Sequence, residues 1–369
     1  MKIITTRDNL VYGVQTVQKA VSLKNPLPIL SGILLKAEGN KLTFMATDLD
    51  IAIKCSVPVS VIEEGSVVLP AKYLGEMVRR LPDTQIKIET DKDNYSTIVN
   101  YGSSEFNLLG SSSEQYPTMP DIESETKFAI KQDLFRNMIK QVSFATSMDD
   151  NRPVFSGVLL EKEGAELRLI ATDTHRLSFR RGLTGEEGGE QQVNVIIPGK
   201  TLNEVNRIMS DEEKDLTITL GENQVVFETE DVKIISRLIA GQFPNYKQVI
   251  PQGCKTKIKV RTKELLESAE RASLLAKEGT NVIRLTINQH EIIINSNSPD
   301  IGKIHEQMPA LMEGEETQIA FNSKYLIDVL KIVDAEESLL ELSGSLSPGI
   351  VKPVNGENYI YVILPVRIV

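Results

Sequence analysis

Three polar residues in the middle of the chain, Asp173, His175 and Ser178, are of the types that form a nucleophilic catalytic triad. A triad requires the nucleophile, the base and the residue that orients the base to meet in one cleft. If this segment is a β-strand, Asp173 and His175 share one face while Ser178 points to the other, because successive side chains alternate. The chain also contains neither a nucleophile-elbow motif nor a P-loop. The pattern therefore disfavours an enzyme.

Metal-binding side chains do not form a convincing set either. Asp48 and Asp50 lie close in sequence, but no third carboxylate matches them in the repeat described below, so solvated strand ends explain them better. None of the three histidines stands at metal-ligand spacing from Cys55 or Cys254. Two isolated thiols are typical of small buried side chains in a reducing cytoplasm rather than of a disulfide. We expect no catalytic residue, no cofactor and no metal, and a cytoplasmic location.

The composition is that of an ordinary globular protein. The 369 residues predict two or three domains, and 41% apolar with 25% charged residues allows sizeable cores. Trp is absent, so these cores must consist mainly of Leu, Ile and Val. The N-terminus lacks an apolar signal region, and no stretch approaches the roughly 18 apolar residues of a membrane span. We therefore expect no membrane partner.

One unit is repeated three times at intervals of about 125 residues. Each copy contains a short strand that runs into an amphipathic helix, and in the first copy Leu74, Met77, Val78 and Leu81 follow helical spacing. Such a stripe is typical of a helix packed on a core. The three strand–helix segments are 68–82, 196–210 and 319–334. A second helix pattern opens each copy, at 8–22, 132–146 and 263–277.

Paired strand patterns follow the first helix of each copy. The strands are separated by turn residues at Glu38–Asn40, at Glu163–Gly164 and at Asn288–His290. The sequence Ala-Thr-Asp recurs 125 residues apart, ending at Asp48 and at Asp173. Each copy therefore reads as an α+β unit of two helices and about eight mostly antiparallel strands. We expect three domains, which we name copy one (1–125), copy two (126–252) and copy three (253–369).

The charges of the chain are unevenly distributed. The net charge of −10 at first argues against nucleic-acid binding, because a basic footprint is the usual sign of it. The six repeat helices, however, together carry +8, so the remainder carries −18. Helix propensity alone explains lysine and arginine on one helix. Over six helices, the pattern favours a basic face made by the helices and an acidic face made by the sheets.

The sequence resembles the bacterial β sliding clamp family, the processivity subunit of the replicative DNA polymerase III. The resemblance covers the whole chain and rests on four segments that occur in order on the threefold repeat. They are LPILSGILL (27–35), ATDTHRLSFR (171–180), FPNYKQVIP (243–251) and LPVR (364–367).

The resemblance implies a head-to-tail homodimer that closes into a ring around double-stranded DNA, without sequence preference. Basic residues of the helices would face the duplex: Lys24, Arg7, Lys72, Arg79, Arg80, Arg136, Lys140, Lys200 and Arg207. At the dimer interface, Phe106 and Leu108 of one subunit would pack against Leu274 and Leu275 of the other. The alternative for these apolar residues is ordinary core within one domain.

The resemblance also implies a pocket that binds short linear peptides of protein partners. These would be the catalytic subunit of DNA polymerase III, the clamp loader, and other polymerases, mismatch-repair proteins and ligase. The apolar floor would comprise Thr172, Leu177, Pro244, Val249, Val362 and Leu364. The rim would comprise Arg152, His175, Arg176, Tyr325 and Arg367. Thr174, where many relatives have Gly, and the additional terminal Val369 leave the fine peptide preference open. A repeat scaffold that binds only proteins is the remaining alternative function.

Overall fold

The computed structural model describes residues 1–22, 27–119, 126–149, 151–185, 192–210, 213–276, 281–356 and 358–367. Copy one contains two helices, α1 (Arg7–Val17) and α2 (Ala71–Arg80). Its strands are β1 (Lys2–Thr6), β2 (Gly32–Glu38), β3 (Lys41–Thr47), β4 (Ile51–Pro58), β5 (Ser60–Glu63), β6 (Gly65–Pro70), β7 (Gln85–Thr90), β8 (Ser96–Tyr101) and β9 (Ser104–Leu109).

Copy two repeats this order with α3 (Gln132–Val142) and α4 (Gly199–Ile208). Its strands are β10 (Thr126–Lys131), β11 (Gly157–Glu163), β12 (Glu166–Thr172), β13 (Arg176–Leu183), β14 (Val193–Pro198), β15 (Asp215–Leu220), β16 (Gln224–Glu228) and β17 (Val232–Arg237). Copy three contains α5 (Thr262–Ala276) and α6 (Ser323–Ile332). Its strands are β18 (Thr256–Arg261), β19 (Val282–Asn288), β20 (Glu291–Ser298), β21 (Gly302–Pro309), β22 (Leu311–Gly314), β23 (Thr317–Asn322), β24 (Glu337–Leu342), β25 (Gly349–Pro353) and β26 (Tyr359–Ile363).

The element order confirms the predicted repeat of helices and hairpins. In each copy a strand leads into the first helix, and the strand–helix segments predicted at 68–82, 196–210 and 319–334 fold as β6–α2, β14–α4 and β23–α6. Every strand pair within the residues that the structure describes is antiparallel. The prediction of an α+β fold with antiparallel sheets is therefore confirmed.

The chain forms two compact units, although it contains three sequence copies. Unit 1 comprises Met1–Asp133 and Glu204–Leu238, and unit 2 comprises Leu134–Asn203 and Ile239–Val369. In unit 1 the sheet orders are β5-β1-β7-β8-β9 and β10-β15-β16-β17-β4-β3-β2-β6. In unit 2 they are β14-β11-β12-β13-β26-β25-β24-β18-β22 and β21-β20-β19-β23. Copy two thus supplies strands to both units, because β17 pairs with β4 and β13 pairs with β26.

The helices pack on the sheets through the predicted apolar stripes. On α2, Leu74, Met77 and Val78 are buried. On α1, Gly13 lets the helix approach the sheet closely, because a Cβ at this position would lie 2.2 Å from the ring of buried Phe44. A glycine inside a helix costs about 1 kcal/mol relative to alanine, so close packing is the reason for its presence here.

Candidate functional site

The turn between β12 and β13 is held by its own side chains. The hydroxyl of Thr172 donates to the carbonyl of Arg176 at 2.6 Å and accepts from the N–H of Thr174 at 3.2 Å. The Asp173 carboxylate accepts from the N–H groups of His175 and Arg176 at 3.0 and 3.1 Å. The φ of Thr174 is +78°, in the left-handed region that favours glycine. Asp173 and His175 therefore lie in a turn, which corrects the expectation that they belong to a strand.

The catalytic triad considered above does not form. Ser178 is fully buried, and its hydroxyl donates to the carbonyl of Gln141 at 2.5 Å. The Asp173 carboxylate bonds to the turn and to Arg176. His175 is exposed, and its ring stacks with that of Tyr325 at a centroid distance of 6.2 Å. A nucleophile that is enclosed and bonded to backbone cannot meet a substrate together with these residues.

Arg176 lies beneath the turn rather than at the rim, which corrects its predicted position. Only 7% of the residue is exposed. Its guanidinium pairs with Asp173 at 3.0 Å and with Asp328 of α6 at 2.6 Å, and it donates to the carbonyl of Phe144 at 2.8 Å. It also lies over the ring of Tyr325, 4.6 Å from the centroid. One buried cation therefore joins the β12–β13 turn to the helix that carries Tyr325.

The predicted floor residues Leu177 and Val362 come together as neighbours on β13 and β26. Both are buried, with 2% and 1% exposure. They belong to one apolar cluster with Leu159, Ile170, Ile196, Phe243, Tyr246 and Ile350. Val154 packs against this cluster. The prediction missed Val154, although its position just before the Phe-Ser-Gly of the second hairpin marks it as an apolar residue of the repeat.

A shallow depression of about 290 Å³ lies next to this cluster. It is lined by Arg152, Pro153, Val154, Phe155, Gln242 and Pro244. Pro244 is exposed, and 42% of Val249 is exposed. These two residues, which were expected in the floor, are therefore surface residues. Thr172, also expected in the floor, is buried and uses its hydroxyl within the turn.

The C-terminal segment reaches the same turn. The N–H of Leu364 donates to the carbonyl of His175 at 2.9 Å, and the N–H of Val366 donates to the carbonyl of Ala320 at 2.8 Å. Leu364 is half-buried and Arg367 is exposed. Tyr325 is fixed nearby because its carbonyl accepts from the hydroxyl of Tyr361 at 3.0 Å. Segments from copy two and copy three thus meet at an apolar surface with polar and aromatic groups around it, while Val369 lies outside the described residues.

The residues predicted to face DNA lie on the repeat helices, apart from Lys24, which falls outside the described residues. Arg7 begins α1, and its guanidinium donates to the carbonyl of Arg79 on α2 at 3.4 Å. Arg80 pairs with Glu76 at 3.2 Å while its side chain remains 78% exposed. Lys72 is on α2, Arg136 and Lys140 are on α3, and Lys200 and Arg207 are on α4.

The residues predicted at the dimer interface differ in exposure. Phe106 lies on the edge strand β9 and is 38% exposed. Leu108 is only 7% exposed and lies inside its own unit, which corrects its predicted place on the surface. The neighbouring Leu109, which the prediction missed, is 75% exposed. On α5, Leu274 is 64% exposed and Leu275 is half-buried.

Cys55 and Cys254 are both free thiols. Burial raises the pKa of Cys55 to about 12. Within the described residues, no group of three His, Cys, Asp or Glu side chains could hold a metal ion. None of the helices described is long and apolar enough to cross a membrane.

Comparison with known proteins covers the whole chain. Sequence models of the DNA polymerase III beta subunit match residues 1–120 (N-terminal domain), 129–245 (central domain) and 247–367 (C-terminal domain). The beta sliding clamp of Bacillus subtilis (strain 168) is 39% identical over 378 residues, which is 100% of each chain.

Two solved structures illustrate the similarity of the fold. The DNA polymerase sliding clamp of Bacillus subtilis superposes with a TM-score of 0.95 at 39% identity. A sliding clamp (DNA polymerase III subunit beta) of Pseudomonas aeruginosa bound to griselimycin also has a TM-score of 0.95, at 30% identity. Both alignments cover 100% of both chains. The chain therefore belongs to the DNA polymerase III beta subunit family, the beta sliding clamps.

Proposed function

We propose that this chain is the subunit of a ring-shaped homodimer that encircles duplex DNA and tethers the replicative polymerase to it. The observation that carries the proposal is the match of all three domains of the beta subunit family, in order, over the full chain. This family is the non-catalytic clamp subunit of DNA polymerase III, so the chain is not itself an enzyme. We place the three domains at 1–125, 126–252 and 253–369, and the protein in the cytoplasm.

The ring holds DNA through the basic faces of its helices. Helix residues such as Lys72, Arg80, Lys140 and Lys200 are lysines and arginines in a chain whose remainder is acidic. Contacts of this kind with phosphates carry no sequence information and weaken with salt. The duplex is therefore attracted to the hole of the ring, can slide through it, and is repelled by the outer surface.

The ring closes by a head-to-tail contact between two chains. In the described residues, β9 forms one edge of its sheet and presents Phe106 and Leu109. The strand β21 forms an edge of another sheet, and it packs near α5, which presents Leu274. Pairing β9 of one chain with β21 of the other would cover both edges and their exposed apolar side chains. A heterologous contact whose rotation closes gives a discrete ring rather than a filament.

Protein partners dock at the apolar surface around Leu177, Val362 and Leu364. The partners are the catalytic subunit of DNA polymerase III, the clamp loader, other polymerases, mismatch-repair proteins and ligase, each through a short linear segment. A small buried base with a polar and aromatic border is suited to anchoring one or two apolar side chains of such a segment. Because the ring stays on DNA, even weak docking keeps the partner at high effective concentration there.

Two experiments test this function. Negative-stain electron microscopy should show rings with a central hole wide enough to admit a DNA duplex. Compact particles of monomer mass would contradict the ring. The protein should also stay bound to closed circular DNA and be lost when the circle is linearised. A repeat scaffold that binds only proteins would form no rings, and it would not be retained on closed circular DNA.

The docking surface is tested separately by Leu177→Ala combined with Leu364→Ala. Because Leu177 is buried, truncating these two side chains lowers the stability of unit 2 as well as removing apolar contact area. The change leaves β9, β21 and α5 unaltered, so the variant should form rings as before once circular dichroism shows that it is folded. In a titration with a fluorescent peptide from the polymerase catalytic subunit, affinity should fall by about thirtyfold or more, since each of the two apolar anchors contributes about 1–2 kcal/mol. Unchanged affinity would refute the assignment of the pocket.

A further inference from the structure

The turn that forms part of the docking surface in copy two recurs in copy one. In the β3–β4 turn, the hydroxyl of Thr47 donates to the carbonyl of Ile51 at 2.9 Å and accepts from the N–H of Leu49 at 3.0 Å. The Asp48 carboxylate accepts from the N–H groups of Asp50 and Ile51 at 3.1 and 2.9 Å. Leu49 has a φ of +78°, the same value as its counterpart in copy two. The two turns therefore have the same construction.

The apolar layer beneath this turn is repeated too. Leu30, Met45, Val68 and Tyr116 form one buried cluster, against which Met119 packs. Three of these residues occupy the same places in the repeat as three residues of the copy two cluster, namely Ile170, Ile196 and Phe243. The hydroxyl of Tyr116 donates to the carbonyls of Gly32 and Met45, at 3.2 and 3.4 Å, which fixes the segment that follows β9.

The strands that follow the two turns, β4 with β17 and β13 with β26, pair in the same register, but the side chains at one pair of positions differ. On β4 and β17, Ala52 lies opposite Ile235, where copy two and copy three have Leu177 opposite Val362. The smaller alanine leaves space, and a depression of about 280 Å³ opens at this place within unit 1. Its apolar lining includes Leu49, Ala52, Pro117, Met119 and Ile235.

A cation stands at the mouth of this depression. Arg237 directly follows Ser236, the neighbour of Ile51, and so takes the place that Leu364 has in the docking surface. Its side chain is 64% exposed, and it forms a long ion pair of 3.8 Å with the Asp50 carboxylate, itself 81% exposed, that is too long for a hydrogen bond. The guanidinium can therefore direct its N–H donors toward a ligand carboxylate, which arginine binds in a bidentate manner.

We propose that this depression is a second peptide-binding site, which takes a short extended segment with an acidic side chain beside a leucine-sized one. The apolar side chain enters the space over Ala52 and Ile235, and the carboxylate pairs with Arg237. The choice of a peptide as ligand rests on the function proposed for the copy two surface. The site itself rests on residues of copy one and the last strand of copy two, so the two sites differ in preference while sharing one backbone design.

The test uses the full-length protein carrying Leu177→Ala and Leu364→Ala, so that the first docking surface is weakened. The probes are two arrays of hexapeptide amides with randomised flanks, one with Asp-Leu at the centre and one with Asn-Leu. The strongest Asp-Leu peptide is then labelled with fluorescein and titrated by anisotropy. It should bind at least about fivefold more tightly than its Asn-Leu counterpart, because only the carboxylate forms a charge-assisted pair.

Arg237→Glu should weaken this peptide by about tenfold, since it replaces attraction by repulsion. Arg261→Glu, an equal change at an exposed arginine at the end of β18, should alter the affinity by less than about twofold. A photoreactive leucine in the peptide should attach within residues 47–52 or 117–119.

Equal binding of both peptides, no effect of Arg237→Glu, or attachment within residues 172–177 would each overturn the second site. These outcomes differ from failure of the first docking surface. That surface fails when Leu177→Ala with Leu364→Ala leaves the binding of the polymerase peptide unchanged, whatever happens at Arg237.

Discussion

Replacing Arg176 by methionine should destabilise unit 2 without disturbing its apolar packing. Methionine keeps the contact with the rings of Tyr325 and Phe144, but it removes the pairs with Asp173 and Asp328 and the donor to the Phe144 carbonyl. Removing one partner of a buried ion pair usually costs 3–5 kcal/mol, because the remaining charge stays buried without compensation.

The structure lowers this figure to about 3 kcal/mol. Asp173 still accepts from two backbone N–H groups, and Asp328 still pairs with Lys324 at 2.8 Å. Their side chains are 12% and 25% exposed, so water reaches them only in part. Asp328→Asn should cost less, about 1 kcal/mol, because the amide oxygen can still accept from Arg176.

Urea denaturation followed by far-UV circular dichroism measures these changes. The two units need not unfold together, so the transition that shifts is the one to be compared between variants. Arg80→Met serves as the matched control, because this arginine is exposed and forms a surface ion pair with Glu76. It should cost less than about 0.5 kcal/mol. If Arg176→Met lowers the free energy of unfolding by less than about 1 kcal/mol, the argument that this buried ion pair stabilises unit 2 is refuted.

Three further predictions concern the thiols, the strained turn and a buried tyrosine. At pH 8, a thiol reagent should modify half-buried Cys254 much faster than Cys55, which is fully buried and whose pKa burial raises to about 12; equal rates would contradict this. Thr174→Gly should raise the free energy of unfolding by up to about 1 kcal/mol. Glycine removes the strain of a β-branched residue with a left-handed backbone, and this gain exceeds the cost of the greater entropy of the unfolded chain. A lower free energy of unfolding in urea denaturation would contradict this prediction. Burial also raises the pKa of Tyr116 to about 12, so its contribution to stability is complete below the unfolded pKa near 10 and is lost toward pH 12. Tyr116→Phe should flatten this decline in stability measured between pH 10 and 12, and an identical decline would count against the assignment.

Much of the fold was predictable from the sequence because it depends on local periodicity and on repetition. The stripe of Leu74, Met77 and Val78 marks α2 regardless of what it packs against. The hairpins follow from turn residues at matching places. The exposure of side chains on edge strands was harder to predict from the sequence. Phe106 and Leu109 are exposed whereas Leu108 is buried, and only the position of β9 at a sheet edge determines which side chains stay uncovered.

The site was predicted less completely, since its contacts join distant parts of the chain. Arg176 looked like a surface residue until its partner Asp328, 152 residues away, was known. Nothing in the spacing of either residue indicates that pair. By contrast, the repeated Thr-Asp pair is visible in the sequence. That it holds a turn is known only from the hydrogen bonds of Thr172 and Asp173 in the structure. The two compact units were likewise not predictable, because periodicity does not show which edges pair between copies.

The threefold repeat also determines how the chain can close. The third hairpin strand of copy one, β4, pairs with the last strand of copy two, β17, and β13 of copy two pairs in the same way with β26 of copy three. The corresponding strand of copy three is β21, and the last strand of copy one is β9; both are sheet edges in the described residues. A contact of β21 with β9 from another chain would make a third junction of the same kind. Two junctions within each chain and one between chains repeat a single rule of pairing, and this favours a closed ring of copies over an open scaffold.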